Sequence, residues 1–321
     1  MKLRLAILDD FQGVALNMAD WLALKDRVDI TVFHDAELNF EKLVERLQPF
    51  DLIATVRERT PFTRQLIARL PRLQLLVTTG MFNRSFDLVA LGERNITTCG
   101  TTSSWVSTSE MTWALILALA RNVHLENLAM RSGKWQTTVG AGLEGKRLGL
   151  IGLGKIATHV VRIAKAFDME VVAWSRNLNE ARCKEVGVRL VDKAELFSSS
   201  DFISLHYVLT ESTRHLITAR DFEMMKPSAY FVNTSRGQLI DEMALVNVLQ
   251  RRSIAGAGLD VYETEPLSPD HPLLLLNNVV LTPHLGYVTH DQYATYYTQT
   301  VENIVAFLDC NPIRQLRTPP T

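Results

Sequence analysis

Cysteine is scarce in this chain: Cys99, Cys183 and Cys310 are odd in number and far apart. Neither a disulfide framework nor a CxxC metal or redox site can be built from them, and a reducing, cytoplasmic setting is expected. An excess of charge of one sign is missing too. Thirty-four Lys and Arg stand against 35 Asp and Glu, for a formal net charge of -1. No basic run forms a stripe, so nucleic-acid binding is excluded and any phosphate recognition has to be local. The longest apolar stretch, near Trp113 to Ala120, falls short of the ~20 residues that cross a bilayer. The start, Met1 to Asp10, ends its short apolar run in two carboxylates, which reads as a buried first strand and not as a signal peptide. His34, His124, His159, His206, His215, His271, His284 and His290 show neither HxxxH nor HExxH spacing. No metal site is therefore expected.

A core and more than one domain are well supplied. Hydrophobic residues make up 47% of 321, enough for two domains of ~150 residues each. In the first hundred residues, strand-like runs at Leu3–Leu8, Ile30–Phe33, Leu52–Val56, Leu73–Thr78 and Asn95–Thr98 alternate with segments of helical spacing at Phe40–Leu47 and Thr63–Leu70. That alternation predicts a parallel sheet covered by helices. Gly100 to Ser104 is small, polar and aperiodic, as a hinge would be. Ser107 to Arg121 follows as a helix whose apolar face is broader than a surface helix requires, which burial between domains or subunits would explain. A second series places six strand-like segments at Lys146–Ile151, Val171–Trp174, Phe202–Leu205, Tyr230–Asn233, Gly256–Asp260 and Val279–Leu281. A final helix is expected from about His290 to Leu308, and 317–321 should fray. The fold class is α/β, with two Rossmann-like or flavodoxin-like parallel-sheet domains.

Gly152-Leu153-Gly154-Lys155-Ile156-Ala157 matches GxGxxG/A directly after a strand and ahead of a helical segment. Gly152 permits a tight turn, Gly154 lets a pyrophosphate approach the backbone, and Ala157 lets helix and strand pack closely. The helix N-terminus adds N–H groups and partial positive charge. At the end of the next strand the chain reads Trp174-Ser175-Arg176, without the Asp or Glu that binds a ribose diol. Ser175 removes the charge that would repel a 2′-phosphate, and Arg176 can pair with one. NADP(H) is therefore the favoured cofactor, with NAD(H) as the alternative.

Three later segments end strands in polar residues: Asn233-Thr234-Ser235-Arg236-Gly237, Asp260 to Pro266, and Thr282-Pro283-His284-Leu285-Gly286. With the glycine loop, this order resembles the D-isomer-specific 2-hydroxyacid dehydrogenases over nearly the whole chain. The resemblance implies Arg236, Glu265 and His284 as the catalytic group. Arg236 would bind the substrate carboxylate and polarise its carbonyl. His284 would be the acid and base, oriented by Glu265. It further implies a cofactor set of Gly152, Gly154, Lys155, Ile156, Ser175, Arg176, His206, Tyr207, Thr213, Thr234, Ser235, Arg236, Asp260, His284 and Gly286. Asp260 would meet the nicotinamide carboxamide. Val208 stands where the family commonly has proline.

The loop Thr79-Gly80-Met81-Phe82-Asn83 aligns with the family's substrate-carboxylate loop, although Phe82 replaces a frequent glycine and adds bulk. Substrate contacts are expected from Arg57, Gly80, Met81, Phe82, Arg236 and His284, with a surface salt bridge as the other reading of Arg57. Tyr287 is a candidate to shape the substrate side. The resemblance places a substrate domain at 1–102 and 287–321, an inserted NAD(P)-binding domain at 103–286, and a homodimer with the Ser107–Arg121 helix as a contact element. The implied reaction interconverts a small 2-oxo acid, of glyoxylate or hydroxypyruvate type, and its D-2-hydroxy acid. A nucleotide-sensing, corepressor-like protein of the same fold is the non-enzymatic alternative.

Overall fold

The structure, a computed structural model, describes residues 2–316, and the 317–321 tail lies outside the described residues. The chain divides into two compact units, one of Met1–Ser104 with Thr289–Thr321 and one of Trp105–Val288. The sequence places these junctions at 103 and 287, within two residues of the observed ones.

The first unit is built on a five-stranded parallel sheet. Its strands are β1 (Leu3–Ile7), β2 (Val28–Val32), β3 (Leu52–Thr55), β4 (Leu75–Thr78) and β5 (Thr97–Cys99), in the order β2-β1-β3-β4-β5. Every residue of β3 and β4 is buried, as expected for strands covered on both faces. The crossover helices α1 (Phe40–Leu47), α2 (Arg64–Ala68) and α3 (Leu88–Glu93) each begin at a side-chain cap: Asn39, Thr63 and Asp87 accept from Lys42, Leu66 and Ala90 backbone N–H. Such caps satisfy N–H groups that have no partner inside the helix.

The second unit opens with α4 (Val106–Ala120) and α5 (Val123–Arg131). Its seven-stranded parallel sheet comprises β6 (Arg147–Ile151), β7 (Glu170–Trp174), β8 (Arg189–Leu190), β9 (Phe202–Leu205), β10 (Tyr230–Asn233), β11 (Gly256–Leu259) and β12 (Val279–Leu281). The order is β12-β11-β10-β9-β6-β7-β8, so the direction of winding reverses between β6 and β9. In an open α/β sheet the crevice beyond that reversal, at the carboxyl ends of the strands, is where ligands bind. The crossover helices are α6 (Lys155–Ala166), α7 (Glu180–Val186), α8 (Lys193–Ser199), α9 (Ala219–Glu223) and α10 (Glu242–Gln250). The chain then returns to the first unit as α11 (His290–Leu308), capped by Thr289.

Two expectations change. The broad apolar face of α4 needs no second domain or subunit, because Trp113, Leu115, Ile116 and Leu119 are buried in the unit's own core with Leu148, Leu150, Val160 and Val232. The sheet also has a seventh strand, the two-residue β8 at its edge, too short to show any periodicity.

Candidate active site

At the mouth of the second unit, β6 runs into the glycine turn. Gly152 adopts φ +96°, and a Cβ there would lie 2.3 Å from the His206 carbonyl oxygen, so only glycine fits. Gly154 is different: a Cβ on it would meet nothing within 4 Å. It caps α6 without any side-chain hydrogen bond, which leaves the first-turn amides facing an open approach. Ala157 is fully buried. A pyrophosphate fits such a turn, because the amides and the helix dipole offer positive potential where no side chain intrudes.

The rim of this turn brings together other predicted residues. The Arg176 N–H donates to Tyr207 Oη at 3.2 Å, and its Nη1 donates to the Ser212 carbonyl at 2.8 Å. Thr213 is buried, and its hydroxyl accepts from Thr210 N and donates to the Val208 carbonyl; it shapes the 208–213 loop. His206 lies 2.9 Å from the Ser204 hydroxyl, and burial pushes its pKa down to about 4, so it is uncharged at neutral pH.

Beyond β10, Asn233 organises the turn: its Oδ1 accepts from Ser235 N and its Nδ2 donates to the Arg236 carbonyl. Ser235 Oγ donates to the Leu205 carbonyl, and Thr234 is buried against Thr112, hydroxyl to hydroxyl at 2.8 Å. The guanidinium of Arg236 donates through Nη1 to the Ser235 carbonyl at 2.7 Å. Beyond β11 and β12 lie Glu265 and His284, with His284 Nδ1 2.6 Å from Glu265 Oε2. The other Glu265 oxygen accepts from Tyr262 N at 3.0 Å. Burial works to raise the Glu265 pKa. The His284 hydrogen bond and charge, the Tyr262 amide and the charge of Arg236 outweigh it and hold the carboxyl below its ordinary range. Glu265 is thus an anion that fixes the Nδ1 side of the ring, leaving Nε2 to exchange a proton with a ligand oxygen.

His284 itself sits at φ +55°, a left-handed conformation that costs a non-glycine residue about 1–3 kcal/mol and persists only where the surroundings impose it. They do. Buried Asp260 accepts from Thr282 Oγ1 (2.6 Å), Leu285 N (2.7 Å) and Gly286 N (2.8 Å), and Thr108 Oγ1 donates to the Gly286 carbonyl. Burial raises the Asp260 pKa, opposed by those donors and by the charge of His284. Tyr287 is buried and meets the His284 ring edge-on at 5.5 Å.

In the first unit, Arg57 (φ +53°) follows β3 and Gly80 (φ +92°) follows β4. A Cβ on Gly80 would lie 2.2 Å from Arg57 Nη1. Arg57 also pairs with Glu58 at 3.6 Å and donates to the Thr79 carbonyl at 3.4 Å. Asn83 Nδ2 donates to the Arg57 carbonyl. The structure therefore brings Arg57 onto the Gly80 turn. Met81 and Phe82 project outward, 47% and 55% exposed, with the Arg84 guanidinium over the Phe82 ring.

A family model described as "D-isomer specific 2-hydroxyacid dehydrogenase, NAD binding domain" matches residues 113–286. The chain belongs to the D-isomer-specific 2-hydroxyacid dehydrogenase family. Glyoxylate reductase of Thermococcus litoralis is 34% identical to it over 275 residues, 83% of this chain and 82% of the relative. Hydroxypyruvate reductase of Thermotoga maritima is 35% identical over 285 residues, 87% and 91% of the two chains. The crystal structure of a phosphoglycerate oxidoreductase from Vibrio cholerae O395 superposes with a TM-score of 0.91 at 37% identity, covering 96% of this chain and 99% of that one.

This D-2-hydroxyacid dehydrogenase is an NAD(P)-dependent oxidoreductase, and its candidate site contains residues that sequence reasoning does not single out. Asn233, Thr112, Tyr262 and Thr282 all hydrogen-bond the segments of Arg236, Glu265 or His284. Gly237 is as constrained as Gly152, since a Cβ on it would lie 1.9 Å from the Tyr262 carbonyl carbon. Asn233 and Gly237 had a signal, flanking Arg236 in sequence. Thr112 had none, since it lies in a helix that reads as core. Among the described residues, no group of three His, Cys, Asp or Glu could hold a metal ion, and no helix is long and apolar enough to cross a membrane.

Proposed function

We propose that this dehydrogenase reduces a small 2-oxo acid of the glyoxylate or hydroxypyruvate type to the D-2-hydroxy acid, with NADP(H) preferred over NAD(H). The observation that carries the reading is the 2.6 Å His284–Glu265 pair, with the charge of Arg236 felt at the same carboxylate. A bound nicotinamide cofactor supplies the hydride in reduction and takes it in oxidation. Arg236 binds carboxylate and carbonyl oxygen and stabilises the negative charge that develops on that oxygen. His284 gives its Nε2 proton to the oxygen in reduction and takes it back in oxidation, and Glu265 stabilises the charged ring. The Gly152–Ile156 turn is assigned to the pyrophosphate, and Thr234, Ser235, Asp260 and Gly286 to the nicotinamide side. Arg57 and the Gly80–Phe82 backbone are assigned to substrate recognition, supported by the hydrogen bonds from Arg57 to Thr79 and its close approach to Gly80.

Ser175 and Arg176 support the NADP(H) preference, because no carboxylate follows β7 and a guanidinium does. The protein is further proposed to be a cytoplasmic homodimer. With α4 internal to its unit, the contact element shifts to α5 and the segment after it, where Leu128, Met130, Trp135 and Val139 are 59–97% exposed.

A panel of 2-oxo acids assayed with NADPH and NADH tests the function. Turnover of glyoxylate or hydroxypyruvate with NADPH preferred, and loss of that preference in Arg176→Ala, is the expected result. An absence of turnover on any 2-oxo acid overturns the reading, and a preference for NADH overturns the cofactor assignment.

A further inference from the structure

We infer that Tyr262 is a positioning residue for the reaction: it is a point at which the segments carrying Arg236, Glu265 and His284 are tied to one another. This rests on the reading of those three residues as the catalytic group. Each of the three segments touches Tyr262 through a different part of it. Gly237, directly after Arg236, packs against the Tyr262 carbonyl carbon and oxygen so closely that no Cβ could intervene. The Tyr262 N–H donates to Glu265 Oε1 at 3.0 Å. Tyr262 Oη lies 3.0 Å from the Thr282 carbonyl, two residues before His284, and 3.2 Å from the Leu259 carbonyl.

The hydroxyl is not there to rescue a stranded acceptor. The Leu259 carbonyl already accepts from Thr282 N at 2.9 Å, and the Thr282 carbonyl from His284 N at 3.0 Å. A phenylalanine at 262 would fill the same buried space, 5% exposed, and leave both carbonyls with their backbone donors. What it would remove is a shared hydrogen bond that spans the ends of β11 and β12. Asp260 holds the His284 segment at Thr282 Oγ1, Leu285 and Gly286; Tyr262 holds it at the Thr282 carbonyl and also reaches Glu265 through its backbone N–H. The pair needs this coupling, since His284 holds an unfavourable backbone conformation and its bond to Glu265 closes only if both segments keep their places.

Tyr262→Phe tests the inference in the intact, cofactor-supplied enzyme. The variant is expected to fold and to keep KM for the 2-oxo acid and for the cofactor within about twofold. Its kcat should fall roughly five- to tenfold, because small misplacements of reacting groups are costly. Hydrogen exchange at the Thr282 and His284 amides, which donate to the two carbonyls that the hydroxyl joins, should be several-fold faster. Unchanged kcat overturns the inference, and so does a lower kcat accompanied by a matching rise in both KM values or by wild-type exchange at 282 and 284, which would mark a merely structural role. Exchange is read without turnover. Failure of the wild type on every 2-oxo acid would therefore reject the functional reading while the tie was still decided.

Discussion

Glu265 shows how little of a candidate catalytic residue's behaviour resides in its identity. An isolated buried glutamate would take up a proton; this one faces an imidazole, an amide and the field of a guanidinium, and remains charged. The linkage has a definite sign. A carboxyl whose folded pKa is depressed contributes stability that is complete above its ordinary value of 4.5 and is lost as pH falls through the lower folded value. Glu265→Gln should therefore be less stable than wild type at pH 7, with the gap closing only below about pH 4.5, as urea titrations across pH would record. The same substitution should lower kcat roughly a hundredfold, within the range for general acid–base catalysis. A kcat within twofold of wild type would remove Glu265 from the mechanism. At this scale the sequence was most informative where chemistry allows few residue types. An arginine, a glutamate and a histidine at successive strand ends can be recognised from their order. Tyr262 and Thr282 could not be, since their contribution depends on neighbours 20 residues apart in sequence brought within 3.0 Å.

Among the elements, the β6 turn and α6 make the sharpest contrast. Gly152 and Gly154 look equivalent in the motif, yet the fold requires only Gly152, while Gly154 is reserved for the proposed ligand. Gly154→Ala should leave thermal stability within about 0.5 kcal/mol of wild type, as its backbone suits any residue and its Cβ would enter open space. It should raise the cofactor KM about tenfold or more. Gly152→Ala should instead destabilise the unit outright, through its φ of +96° and the His206 carbonyl. Equal stability losses in the two variants, by thermal melts, would refute the distinction. Elements with strong periodicity were legible almost to the residue: α1, α11, β9, β10 and β12 have the expected bounds. Where several partners compete, periodicity says less. The apolar breadth of α4 suggested an interface, but a helix enclosed by its own unit's sheet and α6 carries the same pattern. Conversely, α5 has no buried residue, so its amphipathic signal was faint, and it begins from a left-handed Asn122.

For the molecule as a whole, the exposed apolar side chains of α5 and the following segment make the proposed homodimer testable. Leu128→Glu combined with Trp135→Glu should yield a monomer by light scattering at micromolar concentration. The melting temperature of each unit's core should hardly change, since neither side chain is buried. A wild-type protein that is already monomeric would refute the dimer, and an undisturbed dimer in the double variant would place its interface elsewhere.

The division of the chain bears on how the protein is made. The first unit is completed by its last segment: α11 places Tyr293 and Tyr297 against each other and Tyr297 against Trp21. Asn303 donates to the Gly100 carbonyl, and the Arg314 carbonyl accepts from Gly100 N. None of these partners exists while the ribosome is still decoding residue 288. The second unit, by contrast, is one continuous stretch and can close as soon as it emerges. The N-terminal hundred residues thus wait, with β5 lacking its final neighbours, through the synthesis of an entire intervening domain. During that interval they are the part of the nascent polypeptide that a chaperone has most reason to hold.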